Sequence, residues 1–182
     1  MMRFLGHRIL DAFAKRHDYD VAYMRALLDA SPSAFRKFGK VSALSRHREA
    51  VPVEASHAAR LVGALVEDCG PCTQLVADMA RGEGVPDEQI VAVLSGREAS
   101  MTEPVTLAFH FARAMIDNAA ELDELREDVR RQWGDKGVVD LTFATQMTRI
   151  YPMVKAGLGF AASCQQVKVG STVVPTDGKV AS

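Results

Sequence analysis

Cysteine is scarce in this chain. Of 182 residues only Cys69, Cys72 and Cys164 are cysteine, and the first two are close together in "EDCGPCTQ". A tetrahedral zinc site needs about four ligands. One CxxC supplies two, and no matching Cys/His pair lies elsewhere. An excess of charge is also missing: Lys and Arg number 22, Asp and Glu 23, and the formal net charge is -1. Such a balance gives no global reason to expect nucleic acid. No apolar run approaches the roughly 20 residues of a spanning helix, so no membrane role is expected. The opening "MMRFLGHRILDAFAKRH" lacks the continuous apolar stretch of a secretory signal. Low-complexity runs and solenoid repeats are absent, and no strand pattern stands out inside the domain. What remains is an ordinary globular composition, 48% apolar and 25% charged. It fits one domain with a sizeable core in the reducing cytoplasm.

Helical spacing runs through most of the chain. Met2, Leu5, Ile9 and Phe13 form one amphipathic row, with Arg3, Lys15 and Arg16 outside it. That row is expected to pack on the core or on another subunit. A short helix over Tyr19–Asp29 comes next, and "SPSAFRKFGK" opens another with Ser31 as N-cap and Pro32 at the first position. Val53–Glu67 carries an apolar stripe of Ala58, Leu61, Val62 and Leu65. A helix from the cysteines to about Arg81, a short one over Asp87–Leu94, and one capped by Thr102 with Pro104 in its first turn follow. Leu122–Trp133, a turn at "GDKG", and an apolar helix over Val138–Ala162 complete the set. Pro152 is expected to kink that last helix. Residues 165–182 have no helical period and read as a tail, extended or disordered unless a partner orders it.

In a reducing compartment a CxxC is more often redox-active or metal-binding than a permanent staple. Two inert core cysteines are the plainer alternative. A redox pair needs one thiol that ionises and a second within reach, because the thiolate is the attacking species. Pro71 fits the first turn of a helix beginning at the pair. Cys72 is then near free backbone N–H groups and the positive end of the helix dipole. Glu67, Glu54 and His57 are the nearby polar candidates. Glu54 and His57 continue the row of Leu61 and Leu65 and so point inwards. A straight helix from residue 57 to 68 rises roughly 16 Å, which keeps His57 out of direct reach of Cys69. His110, in an apolar helix, reads as a core histidine, and Cys164 as a small core residue. His7, His17 and His47 lack ligand spacing.

Three stretches resemble the carboxymuconolactone decarboxylase superfamily, in particular its alkyl hydroperoxidase D (AhpD)-like branch. They are "LVEDCGPCTQLVADMARGEGVPDEQIVAVLSG", "TLAFHFARAMI" and "VVDLTFATQMTRIYPMVKAGLG". The first is similar to the family's two-cysteine segment followed by a helix start, here Gly84–Ile90. The last resembles its closing apolar helix. The resemblance spans about Val53 to Cys164. It implies an all-α fold whose cysteines open a helix beside a subunit interface, in obligate homo-oligomers, commonly trimers or hexamers. It also implies reduction of small peroxides or disulfides through Cys72, as attacking thiol, and Cys69, as resolving thiol. Electrons come from a thiol donor protein in that scheme, with no metal or flavin required. The chain departs from the pattern at two places. Where the redox branch has Glu twelve residues before the first cysteine and His four residues after the second, this chain has His57 and Val76. His57 is the first expectation for a replacement base and Glu67 the second.

The expected organisation is therefore an N-terminal helical extension (1–50) packing on the core, an AhpD-like CxxC domain (51–164) and a tail (165–182). The expected function is thiol-dependent peroxide or disulfide reduction. The alternative is a non-catalytic or redox-sensing member of the same fold that binds a small apolar ligand or a protein partner.

Overall fold

The computed structural model describes residues 2–161 and 166–176. Cys164 and the last six residues lie outside the described residues. The chain is mostly helical: α1 (Met2–His17), α2 (Ala22–Ala30), α3 (Pro32–Phe38), α4 (Val41–Ser45), α5 (Val53–Leu65), α6 (Gly70–Gly82), α7 (Asp87–Ser95), α8 (Glu103–Asp117) and α9 (Leu122–Gly157). A hairpin of β1 (Gln166–Val169) and β2 (Thr172–Pro175) follows.

The core is built round α5. Every residue from Ala55 to Leu65 is buried, so the helix presents no solvent face and its single expected stripe understates its role. Small residues explain how it can be surrounded. Ala55, Ala58, Ala59, Gly63 and Ala64 let α6, α7, α8 and α9 approach from several sides. At Gly63 the approach is closest: a Cβ there would collide with the carbonyl oxygen of Thr145 on α9. The turn leading into α5 is fixed by one carboxylate. Asp140 of α9 is fully buried, and its Oδ2 accepts the backbone N–H groups of Glu49 (2.9 Å), Ala50 (2.7 Å) and Val51 (3.1 Å).

Several local expectations hold. Ser31 caps α3, its Oγ accepting the Ala34 N–H at 3.2 Å, with Pro32 at the helix start. Thr102 takes the N-cap position of α8 without a side-chain capping bond, and Pro104 lies in the first turn. Three expectations change. The two C-terminal helices are one element, α9, broken in torsion at Gly134 (φ 70°, ψ -173°). Glycine alone adopts that conformation without strain. Pro152 sits inside α9 while the residues round it keep helical torsions. In α1 the buried positions are Gly6 and Leu10, whereas Phe4, Leu5 and Ile9 are 68%, 60% and 58% exposed. Leu28 fills the space beside Gly6.

The N-terminal helices have a small apolar cluster of their own. Leu10, Tyr19, Val21, Tyr23 and Leu28 are its buried members, and Leu75 of α6 packs against it. The tail also departs from expectation. It is extended over 166–175, but it is paired with itself and docked on its own chain. Val167, Val169 and Val174 are buried in the main core. Gln74 of α6 then acts as a partner for the outer edge of β1: its Nε2 donates to the Lys168 carbonyl (2.8 Å) and its Oε1 accepts the Lys168 N–H (2.7 Å). An otherwise unpaired strand edge is thereby satisfied.

Candidate functional site

The chain leaves α5 through a tight turn in which Asp68 takes a positive φ of 48°. Cys69 follows as the N-cap of α6, with Gly70, Pro71 and Cys72 as the first three helical residues. The Cys69 carbonyl accepts both the Thr73 N–H (2.9 Å) and the Thr73 hydroxyl (3.1 Å), which closes the first turn. The two Cα atoms are 5.3 Å apart and the sulfurs are at disulfide-bonding distance. Both residues are nearly enclosed, 6% and 5% exposed. The pair thus straddles a helix start, where free N–H groups and the dipole favour negative charge. Among the described residues no group of three or more His, Cys, Asp or Glu side chains is arranged to hold a metal.

A polar side chain reaches the pair. The Tyr19 hydroxyl lies 3.5 Å from Cys72 Sγ, in a buried contact across 53 residues of sequence. Tyr19 is in the short link between α1 and α2, held at the edge of the Phe13 ring (centroids 6.1 Å apart). Lys155 Nζ of α9 stands 5.5 Å over the Tyr19 ring, with Lys155 itself buried. The Tyr23 hydroxyl is close by, without a well-aligned hydrogen bond of its own. Burial pushes the Tyr19 phenol above its ordinary range; Tyr23 opposes that rise and the Asp20 carboxylate adds to it. A cleft of about 220 Å³ opens beside the CxxC loop, between Asp18, Tyr19, Gly70, Pro71 and Gln166.

His57 and Glu67 are placed elsewhere. His57, 1% exposed, has Nε2 3.1 Å from Glu83 Oε2, close enough to pair but not aligned as a hydrogen bond. Its Nδ1 faces Arg60 Nη1 at 3.4 Å. Burial, and then the Arg60 charge, push the imidazole down to about 4. Glu83 closes α6 at the end opposite the cysteines, roughly 20 Å along a helix of that length. Glu67 is tied to Arg149 Nε at 2.7 Å. Val76, one turn into α6 from Cys72, is buried and apolar. The structure therefore brings together Cys69, Cys72 and Tyr19, and gives His57 and Glu67 other partners. His110 is not a core histidine: it is 39% exposed and its Nε2 lies 3.3 Å from Glu98. Compared with known proteins, the chain matches no family model, no curated protein and no solved structure.

Sequence reasoning missed Tyr19 because nothing near it carries a chemical motif. The available signal was indirect. In "HDYD" the Asp20 carboxylate accepts the Ala22 N–H at 2.8 Å, starting α2. That local turn fixes the backbone round the tyrosine but says nothing of what the ring will meet.

Proposed function

We propose that the protein is an AhpD-like thiol oxidoreductase that reduces a small peroxide or a disulfide through Cys69 and Cys72. The observation that carries this reading is the pair at disulfide-bonding distance across the start of α6. In the peroxide reaction the Cys72 thiolate attacks the terminal peroxide oxygen. An S–O bond forms, the O–O bond breaks, and the alcohol leaves with a proton. The Cys69 sulfur then attacks Cys72, giving the disulfide and releasing water. Two electrons have passed from the pair to the peroxide. A dithiol on a donor protein returns them by exchange, becoming a disulfide itself. A reducing compartment such as the cytoplasm supplies such donors.

A homo-oligomer belongs to this proposal, with Phe4, Leu5 and Ile9 as its support. A second reading, a non-catalytic redox sensor, is favoured by the near-complete enclosure of both sulfurs and by the absence of His57 and Glu67 from the pair. Thiol titration before and after one equivalent of peroxide, with mass mapping, decides between a working pair and an inert one. The expected result is loss of two thiols and of two mass units on the peptide holding Cys69 and Cys72, reversed by dithiol. Two cysteines that stay alkylatable after peroxide would end the proposal.

A further inference from the structure

The family-like proton relay is missing at the expected positions, yet the site is not without a proton donor. We infer that the Tyr19 hydroxyl is the group that stabilises the Cys72 thiolate, so that a residue of the N-terminal segment completes the CxxC site. The catalytic meaning of this contact rests on the thiol reading above; the contact itself can be tested without it.

Four observations support the assignment. The hydroxyl is at 3.5 Å from Cys72 Sγ, within hydrogen-bond range for sulfur, and the contact is buried. The phenol is kept protonated at neutral pH because burial raises its pKa above an ordinary value already near 10. It is therefore a donor, the role a thiolate needs filled. The ring is pinned by the Phe13 edge and by Lys155 across its face. His57 and Glu67 are held by Glu83, Arg60 and Arg149.

The physical logic suits an enclosed pair. A carboxylate beside a buried thiolate would repel it, whereas a neutral O–H donates without adding charge. The bond is weak while Cys72 is a disulfide sulfur and becomes charge-assisted once Cys72 is reduced and ionised. Tyr19 thus favours the reduced state. Stabilising the reduced form makes a disulfide a better oxidant. The contact also separates the two cysteines: Cys69 has the N-cap position, and Cys72 has the hydroxyl as well as a place in the first turn.

The test uses the full chain in Cys69→Ser form, reduced, with iodoacetamide as probe. Alkylation of Cys72 is followed by mass from pH 5 to 10 with and without Tyr19→Phe, and with Tyr23→Phe as a control. The Phe variant keeps the ring and removes only the hydroxyl. The expected result is a Cys72 midpoint about one pH unit higher in Tyr19→Phe, and a rate at pH 7 roughly tenfold lower. Tyr23→Phe should move it far less. In the chain with both cysteines, the glutathione equilibrium of Tyr19→Phe should shift by a similar factor towards disulfide. If Tyr19→Phe does not fold, ¹³C-labelled tyrosine in the parent serves: one Cζ shift should titrate with the Cys72 midpoint. A Cys72 profile unmoved by Tyr19→Phe, or no tyrosine shift following Cys72, overturns the inference. Failure of peroxide to join the cysteines would defeat the redox reading alone, since the alkylation result does not depend on it.

Discussion

At the scale of single residues, position relative to burial decides chemistry more than residue type does. Two titratable groups show it. Tyr19 is enclosed and touches sulfur; His57 is enclosed and touches Arg60 and Glu83. The buried imidazole stays neutral in the fold down to about pH 4, while the unfolded chain takes up its proton near 6.5. Between those values the unfolded state binds more protons, so stability rises with pH across the window. The contribution is complete above about 6.5 and is lost as pH falls towards 4. The size is of order 3 kcal/mol at most, since one pKa unit is about 1.4 kcal/mol. His57→Gln should flatten this part of the pH–stability curve, read as urea midpoints from pH 4 to 7. An unchanged slope would show that His57 is not the titrating group.

At the scale of elements, α6 and α9 do most of the positioning. α6 carries the cysteines at its start, the Gln74 clasp in its middle and the His57 partner at its end. α9 contributes Lys155 over Tyr19, Arg149 to Glu67 and Asp140 to the turn before α5. Asp140 is the most exacting of these, because its Oδ2 serves three backbone donors at once. Removing it leaves one buried N–H group, that of Val51, and two partly buried ones without an acceptor, at about 1–3 kcal/mol for the buried group and less for the two that water can reach. Asp140→Ala should therefore destabilise the protein by about 2–3 kcal/mol, measured by chemical unfolding. Hydrogen exchange should show the Glu49–Val51 amides losing protection first. A loss under about 1 kcal/mol would mean that water replaces the carboxylate, and that the turn is not fixed by it.

At the scale of the whole molecule, the described helices enclose one main core and a smaller N-terminal cluster. None of the described helices is long and apolar enough to cross a membrane. The exposed apolar residues are unevenly placed. Phe4, Leu5 and Ile9 of α1 are exposed, while Leu10 of the same helix is buried. Three large apolar side chains exposed on one helix are unfavourable in water unless something covers them. With the proposed homo-oligomer, a second copy is the expected cover. Light scattering at micromolar concentration should give a multiple of the 19.8 kDa chain mass. Ile9→Asp should shift it towards the monomer. A monomeric mass for the parent would count against the oligomer.

Local pattern was enough for most of the helices and for the placing of the cysteines, though not for α4 or for the joining of two expected helices into α9. Ser31–Pro32, Thr102–Pro104 and Pro71 act within a single turn, so caps and prolines announce their helices without the rest of the fold. The CxxC at the start of α6 was legible for the same reason. Burial on all sides of α5 was not, because small residues permit close neighbours without naming them. The hairpin was missed because its buried residues, Val167 and Val169 on one arm and Val174 and Thr176 on the other, each repeat with a period of two, in a stretch read for helical period. Tyr19 with Cys72, 53 residues apart, and Asp140 with Val51, 89 residues apart, were beyond local reading altogether. Such contacts depend on which helix faces come to lie together. Spacing within a helix determines which residues share a face; only the packed structure decides what that face meets.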